Sequence, residues 1–97
     1  MAWAYILRSL KNGRFYYGST EDLPKRLARH NAGKVRSTKA YRPWVVHYAE
    51  QIETKGEAYR RELFFKSLDG YHWLKEQGII NRMTSQETTS QGATSLS

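Results

Sequence analysis

Apolar positions along the first eighty residues change period several times, and each change marks an element. Trp3-Ala-Tyr-Ile-Leu-Arg8 and Arg14-Phe-Tyr-Tyr-Gly18 are short runs rich in aromatic residues, with the strand's two-residue period. Lys11-Asn12-Gly13 lies between them, and Asn-Gly ahead of a second strand is a strong short-range signal for a hairpin. Ser19-Thr20 then leads to a helix over about Asp22–Asn31. Pro24 fits there because the first helical turn has no N–H partners to lose. Leu23, Leu27 and Ala28 recur on one face of that helix, while Lys25, Arg26 and Arg29 fall off it. Gly33 ends the helix, and a basic loop runs on to Pro43.

The second half follows the same logic. Trp44–Glu50 reads as a third strand. Thr54 and Glu57 have the spacing of a capping box, in which hydroxyl and carboxylate close the first turn reciprocally. The helix they open is predicted to run to about Leu68, with Ala58, Leu63 (or Tyr59), Phe65 and Leu68 as its apolar stripe. Asp69-Gly70 is expected to break it, and Tyr71–Lys75 to form a short last helix. The order ββαβαα predicts an α+β fold, a small three-stranded antiparallel sheet flanked by helices. One folded domain is expected over residues 1–78. Residues 79–97 form a tail rich in Ser, Thr and Gln with almost nothing to bury, and are expected to be disordered.

Composition narrows the class. Ninety-seven residues make one domain at most. No apolar run approaches the roughly eighteen residues of a membrane span. The opening Met1-Ala-Trp-Ala-Tyr-Ile-Leu lacks the basic leader and small-residue cleavage pattern of a signal peptide. Cysteine is absent, so disulfides and thiolate metal sites are excluded. Together these lead to the expectation of a cytoplasmic protein.

Charge adds a partner. The net charge is +7, and the excess is concentrated. Seven basic residues (Lys25, Arg26, Arg29, Lys34, Arg36, Lys39 and Arg42) occur between positions 25 and 42 with no acidic one among them. Such a block suits a polyanion, because each neutralised phosphate releases counterions whatever the base sequence. With Tyr41 and Trp44 interleaved, nucleic acid is the expected partner. A face that only keeps the protein soluble is the plainer alternative.

Five residues could carry chemistry. Tyr5 and Tyr16 lie on the two hairpin strands and can sit side by side. Arg26 and His30 are four apart on one helix and so share a face. Glu62 is an acid among Arg60, Arg61 and Lys66 on a later helix. Singly, each has a plain structural reading. Strand tyrosines usually pack, and Glu62 could simply pair with Lys66 at the i,i+4 spacing. His30, His47 and His72 have no zinc-ligand spacing, and Glu57 is better explained by its cap than as a second metal ligand.

Taken as a set, these residues resemble the GIY-YIG nucleases. Trp3-Ala-Tyr5 and, eleven positions from Tyr5, Tyr16-Tyr17-Gly18 look like the paired motifs that name the family. Arg26 falls ten residues after Tyr16, His30 one turn later within Arg-His-Asn, and Glu62 four residues after Ala58, all as in the family pattern. Tyr-Ile-Leu-Arg-Ser, Tyr-Tyr-Gly-Ser-Thr and Arg-Pro-Trp look like the small stand-alone bacterial members. More distant relatives include the incision half of an excision-repair nuclease and phage homing endonucleases. Trp-Ala stands where the family name has Gly-Ile, and Tyr17 where it has Ile; both departures flank the tyrosines.

The resemblance implies a metal-dependent DNA endonuclease, with Tyr5, Tyr16, Arg26, His30 and Glu62 catalytic. Glu62 would hold Mg2+ (or Mn2+), which keeps several waters and polarises the phosphate. Arg26 would fork two donors onto the scissile phosphate. Tyr5 and His30 both stand as candidates for the base that activates water, and Tyr16 would orient the water or Tyr5 by hydrogen bonding. Lys25, Arg29, Lys34, Arg36, Lys39 and Arg42 would grip flanking backbone phosphates without reading sequence. One small domain cuts one strand at a time, so nicking of low sequence specificity is expected, in DNA repair or recombination. The alternative is a non-catalytic nucleic-acid-binding module of the same fold.

Overall fold

The computed structural model describes residues 1–80, which fall into two compact units, Met1–Lys66 and the segment from Ser67 onward. The first holds a three-stranded antiparallel sheet in the order β2-β1-β3, made of β1 (Ala2–Ser9), β2 (Phe15–Thr20) and β3 (Trp44–Ile52). It also holds helices α1 (Leu23–Asn31) and α2 (Lys55–Lys66) and a single 3-10 turn at Lys39–Tyr41. The second carries α3 (Leu68–Glu76). The predicted α+β architecture is the observed one.

Alternation along β1 divides the core between the two faces of the sheet. Tyr5 and Leu7 point to one face, where they pack with Trp44, Tyr16, Ala49 and the α1 residues Leu23 and Leu27. The opposite face carries Tyr17 and Tyr48, whose rings lie 6.4 and 6.3 Å from that of Phe65 on α2. Arg61 reaches the same face and grips Glu50 through Nε at 2.8 Å and a second nitrogen at 3.1 Å. Burial raises the Glu50 carboxyl, but the hydrogen bonds from Arg61 and Tyr48 outweigh it and hold the group below its ordinary range. The register of β1 with β3 shifts between Ile6 and Leu7, which oppose Tyr48 and Val46 and leave His47 as the extra residue of a bulge.

Pro24, Gly33 and the Thr54–Glu57 pair act at the helix ends as predicted, whereas Asp22, expected as the first helical residue, lies just outside α1 as its cap. Asp22 caps α1 by accepting from the Lys25 amide at 3.0 Å, with Pro24 in the first turn. Gly33 takes φ 77° after the last turn, and the amides of Gly33 and Lys34 return to the carbonyls of His30 and Arg29. That is the Schellman pattern, and its left-handed residue is one that glycine adopts without strain. Thr54 caps α2 through the Glu57 amide at 3.1 Å, while its hydroxyl meets the Glu57 carboxylate at 3.1 Å. The hairpin turn is longer than a two-residue Asn-Gly loop: Ser9 pairs with Arg14, and its hydroxyl receives the amides of Lys11 and Asn12.

Three sequence expectations are corrected. The helix break lies at Ser67, not at Asp69-Gly70; Ser67 caps α3 by accepting from the Gly70 amide at 3.0 Å. Asp69 therefore sits in the first turn of α3, where a carboxylate complements the N-terminal partial charge. The stripe on α2 is narrower than predicted. Ala58 and Phe65 are buried, whereas Leu63 is 46% exposed, Tyr59 53% and, in α3, Leu68 70%. On α1, Ala28 is exposed and Leu23 and Leu27 alone of the three pack inward. The tail expected from residue 79 lies outside the described residues apart from Ile79 and Ile80, whose amides bond the Leu74 carbonyl at 3.0 and 3.4 Å.

Candidate active site

Edge strand β2 is where the candidate residues converge. Tyr5 pairs with Gly18 across the β1–β2 ladder, and its phenol runs outward over that glycine. A β-carbon at Gly18 would meet Cζ of the phenol at 2.5 Å and Cε2 at 3.0 Å. The absent side chain is what lets a residue of the central strand deliver its hydroxyl towards the sheet edge.

There the Tyr5 hydroxyl meets His30 Nε2 at 3.3 Å. His30 is fully buried, and its Nδ1 lies 2.8 Å from Thr38 Oγ1. The Tyr16 ring packs edge-on against the imidazole, 4.9 Å between centroids. Burial lowers the His30 imidazole below its ordinary value, and the charges of Arg26 and Arg29 lower it further, so it is neutral at neutral pH. Burial pushes the Tyr5 phenol the other way, well above the ordinary phenolic range. The Tyr16 phenol and the Glu62 carboxylate add to that rise, and Arg26 opposes it.

Glu62 approaches the same strand from the opposite face, because it lies on α2. Its Oε1 accepts from Ser19 Oγ at 2.7 Å, next to Gly18 in the chain. Its Oε2 accepts from Lys66 Nζ at 2.7 Å, a bond that raises the Lys66 ammonium above its ordinary value. The pairing considered from the i,i+4 spacing is thus present. It does not use up the carboxylate, since Lys66 is half exposed and such surface pairs contribute under about 1 kcal/mol. Arg26 lines a hollow of about 390 Å3 with Ser19, Thr20, Asp22, Lys55 and Tyr59. The other four candidates therefore act electrically on Tyr5 or pack with it: His30 by contact, Arg26 and Glu62 through their charges, and Tyr16 by packing in the same cluster.

Residues 1–73 match the GIY-YIG catalytic domain. The chain belongs to the GIY-YIG family. Its relatives include UPF0213 proteins of Bacillus licheniformis, Bacillus velezensis and Staphylococcus haemolyticus. The first is 45% identical over 66% of this chain and 66% of its own length. The second is 43% identical over 86% and 82%, the third 39% over 75% and 89%. Those names carry no activity. No solved structure is significantly similar to the chain. Membership implies a nuclease, and members of the GIY-YIG family generally use divalent metal ions.

The donor set of this GIY-YIG domain fits one hydrated ion. Among the described residues no three His, Cys, Asp or Glu side chains cluster, which rules out a cage made of such side chains there. A single carboxylate oriented by Ser19 suits Mg2+, which takes one or two carboxylates and otherwise keeps water or phosphate oxygens. The six basic residues expected to bind backbone phosphates, Lys25, Arg29, Lys34, Arg36, Lys39 and Arg42, are all exposed, and none forms an ion pair with a described residue. Arg36, Lys39 and Arg42 line a cleft of about 640 Å3, joined by Lys11 from the hairpin turn.

Sequence reasoning did not single out Ser19, Thr38, Lys55 or Asn31. Asn31 brackets the start of β3, donating to the Trp44 carbonyl at 2.9 Å and accepting its amide at 2.7 Å. Its place at the end of the first helix, just ahead of the Gly33 stop, was the available signal. Ser19 stood within the Tyr-Tyr-Gly-Ser-Thr string without a role of its own, and for Thr38 no local signal exists.

Proposed function

We propose that this protein is a metal-dependent DNA endonuclease that nicks one strand with low sequence specificity. The observation that carries the reading is the Tyr5 hydroxyl, held against neutral His30 within the fields of Arg26 and Glu62. A phenol raised by burial is a poor free base at neutral pH, and Tyr5 acts instead as a relay. Its oxygen takes a proton from the attacking water as its own proton passes to His30 Nε2. The new oxygen–phosphorus bond forms as the bond to the 3′ oxygen breaks, and solvent protonates that leaving oxygen. The imidazolium left behind faces Arg26 and Arg29, which favour its release of the proton.

Arg26 clamps the phosphate oxygens as their charge builds. Tyr16 packs against His30 and keeps its ring in line with Tyr5. A divalent cation on Glu62, Mg2+ or Mn2+, would supply further neutralisation of the phosphate and a stabilised leaving oxygen. Lys25, Arg29, Lys34, Arg36, Lys39 and Arg42 grip the flanking backbone, which positions DNA without reading it. An enzyme of this kind in the cytoplasm would serve DNA repair or recombination.

The test compares wild type with Glu62→Ala on supercoiled plasmid and branched oligonucleotides, with Mg2+, with Mn2+ and with chelator. Metal-dependent nicking that vanishes in the variant while DNA binding persists supports the reading. Salt-sensitive binding with no cutting by the wild type would replace it with a non-catalytic binding module.

A further inference from the structure

Thr38 belongs to the basic segment between α1 and β3, yet it is 1% exposed and its hydroxyl meets His30 Nδ1 at 2.8 Å. We propose that Thr38 is a positioning residue: its hydroxyl holds the proton of neutral His30 on Nδ1, leaving Nε2 as the acceptor for the Tyr5 proton. The inference rests on the reading of Tyr5 and His30 as the water-activating pair.

The argument is a count of donors and acceptors. Three groups in a row each carry one hydrogen: the Tyr5 phenol, the neutral imidazole and the Thr38 hydroxyl. With the ring proton on Nδ1, Tyr5 donates to Nε2, Nδ1 donates to Thr38 Oγ1, and Thr38 donates to the Val35 carbonyl at 3.3 Å. Every hydrogen then has an acceptor. With the proton on Nε2, the ring donates to Tyr5 and Thr38 donates to the ring. The Tyr5 hydrogen then has no acceptor among the described residues and points at the water instead, the reverse of the transfer that activates that water. Only the first arrangement leaves Nε2 able to take a proton.

The backbone around Thr38 keeps the hydroxyl in place. Its amide bonds the Val35 carbonyl at 3.1 Å, and its carbonyl receives the Tyr41 amide at 3.1 Å and the Trp44 indole N–H at 2.9 Å. Trp44 is itself bracketed by Asn31 at the end of the helix that carries His30. The charged or titratable groups acting on the imidazole are Arg26 and Arg29 from α1, Tyr5 from β1 and Tyr16 from β2. Thr38 is the neighbour on Nδ1, and its hydroxyl supplies the acceptor without which the ring proton could not rest there. The segment that offers Arg36 and Lys39 to phosphate therefore also sets the protonation geometry of the relay.

The test is nitrogen-15 NMR of the histidine rings at neutral pH, with the His30 signals identified by their loss in His30→Gln, beside kinetics of Thr38→Ser and Thr38→Val. Wild type and Thr38→Ser are expected to carry the ring proton on Nδ1. Thr38→Val should move it wholly or partly to Nε2 and lower kcat by roughly tenfold or more with KM little changed, as loss of an oriented base does. Thr38→Ser should restore most of kcat. A wild-type proton on Nε2, or equal losses in both variants, would overturn the proposal. If Thr38→Val does not fold, the wild-type tautomer still decides. That spectrum needs no cleavage, so failure of the nuclease reading and failure of this one are separately visible.

Discussion

The phenol of Tyr5 occupies the space where a side chain on Gly18 would begin, with Cζ 2.5 Å from the ideal β-carbon position. Tyr5 therefore reaches the sheet edge only because its partner on β2 has no side chain. Gly18→Ala should displace the phenol and lower kcat by about a hundredfold, the scale of an ångström-sized misplacement of a reacting group. The variant should still bind DNA in a mobility-shift assay, since the basic segment is untouched. Wild-type turnover in Gly18→Ala would mean that Tyr5 can do its work from another position.

Tyr5→Phe removes the hydroxyl and leaves the packing. It should cut turnover by roughly 10²–10⁴, the range for loss of a general acid–base group. Stability should fall by only about 1 kcal/mol, for one lost hydrogen bond. Single-turnover cleavage and denaturant melts measure the two effects separately.

His30 makes stability depend on pH. Its folded imidazole titrates below the ordinary value of 6.5, so between the two values the unfolded chain binds more protons than the folded one. The contribution is fully present above about 6.5 and is lost as pH falls towards the lowered folded value. Wild type should lose stability over that acid limb faster than His30→Gln, as read by urea midpoints at a series of pH values.

Leu63 and Phe65 lie two residues apart on α2 with opposite fates, 46% and 1% exposed. Phe65→Ala should destabilise by about 3–5 kcal/mol, as aromatic truncations in a core do. Leu63→Ala should change stability by about 0.5 kcal/mol or less, as surface substitutions do. Equal effects in thermal melts would contradict the packing of α2 through Tyr17, Tyr48 and Phe65.

The cleft lined by Arg36, Lys39 and Arg42 also contains Lys11, which comes from the hairpin turn. Lys11→Ala should weaken DNA binding uniformly across sequences and reduce the salt slope by about one counterion, if Lys11 contacts a phosphate. Titrations at several salt concentrations check this. An unchanged slope would remove Lys11 from the binding surface.

Much of the site was legible because its signals are local or periodic. The two tyrosines follow from strand alternation around a short turn, and Arg26 with His30 from one helical turn, so spacing alone brings each pair together. The Gly33 stop and the Thr54–Glu57 cap were readable because hydrogen bonds spanning five residues or fewer decide them. The break at Ser67 was missed because serine can cap or continue a helix. The stripe on α2 was misjudged because helical periodicity identifies a face but not how wide a strip the sheet covers.

The sequence by itself determined the order of elements, the concentration of positive charge between residues 25 and 42, and which side chains could do chemistry. All of these depend on neighbours a few residues away or on composition. Tertiary structure alone decided that Glu62 meets Ser19 across forty-three positions, and that Tyr5 passes over Gly18. It also decided that Thr38 turns inward to His30 from a segment that otherwise reads as a solvated basic loop. The physical reason is that such contacts are fixed by how α1 and α2 cover opposite faces of one sheet. No local pattern along the chain encodes which polar groups then arrive at the shared edge.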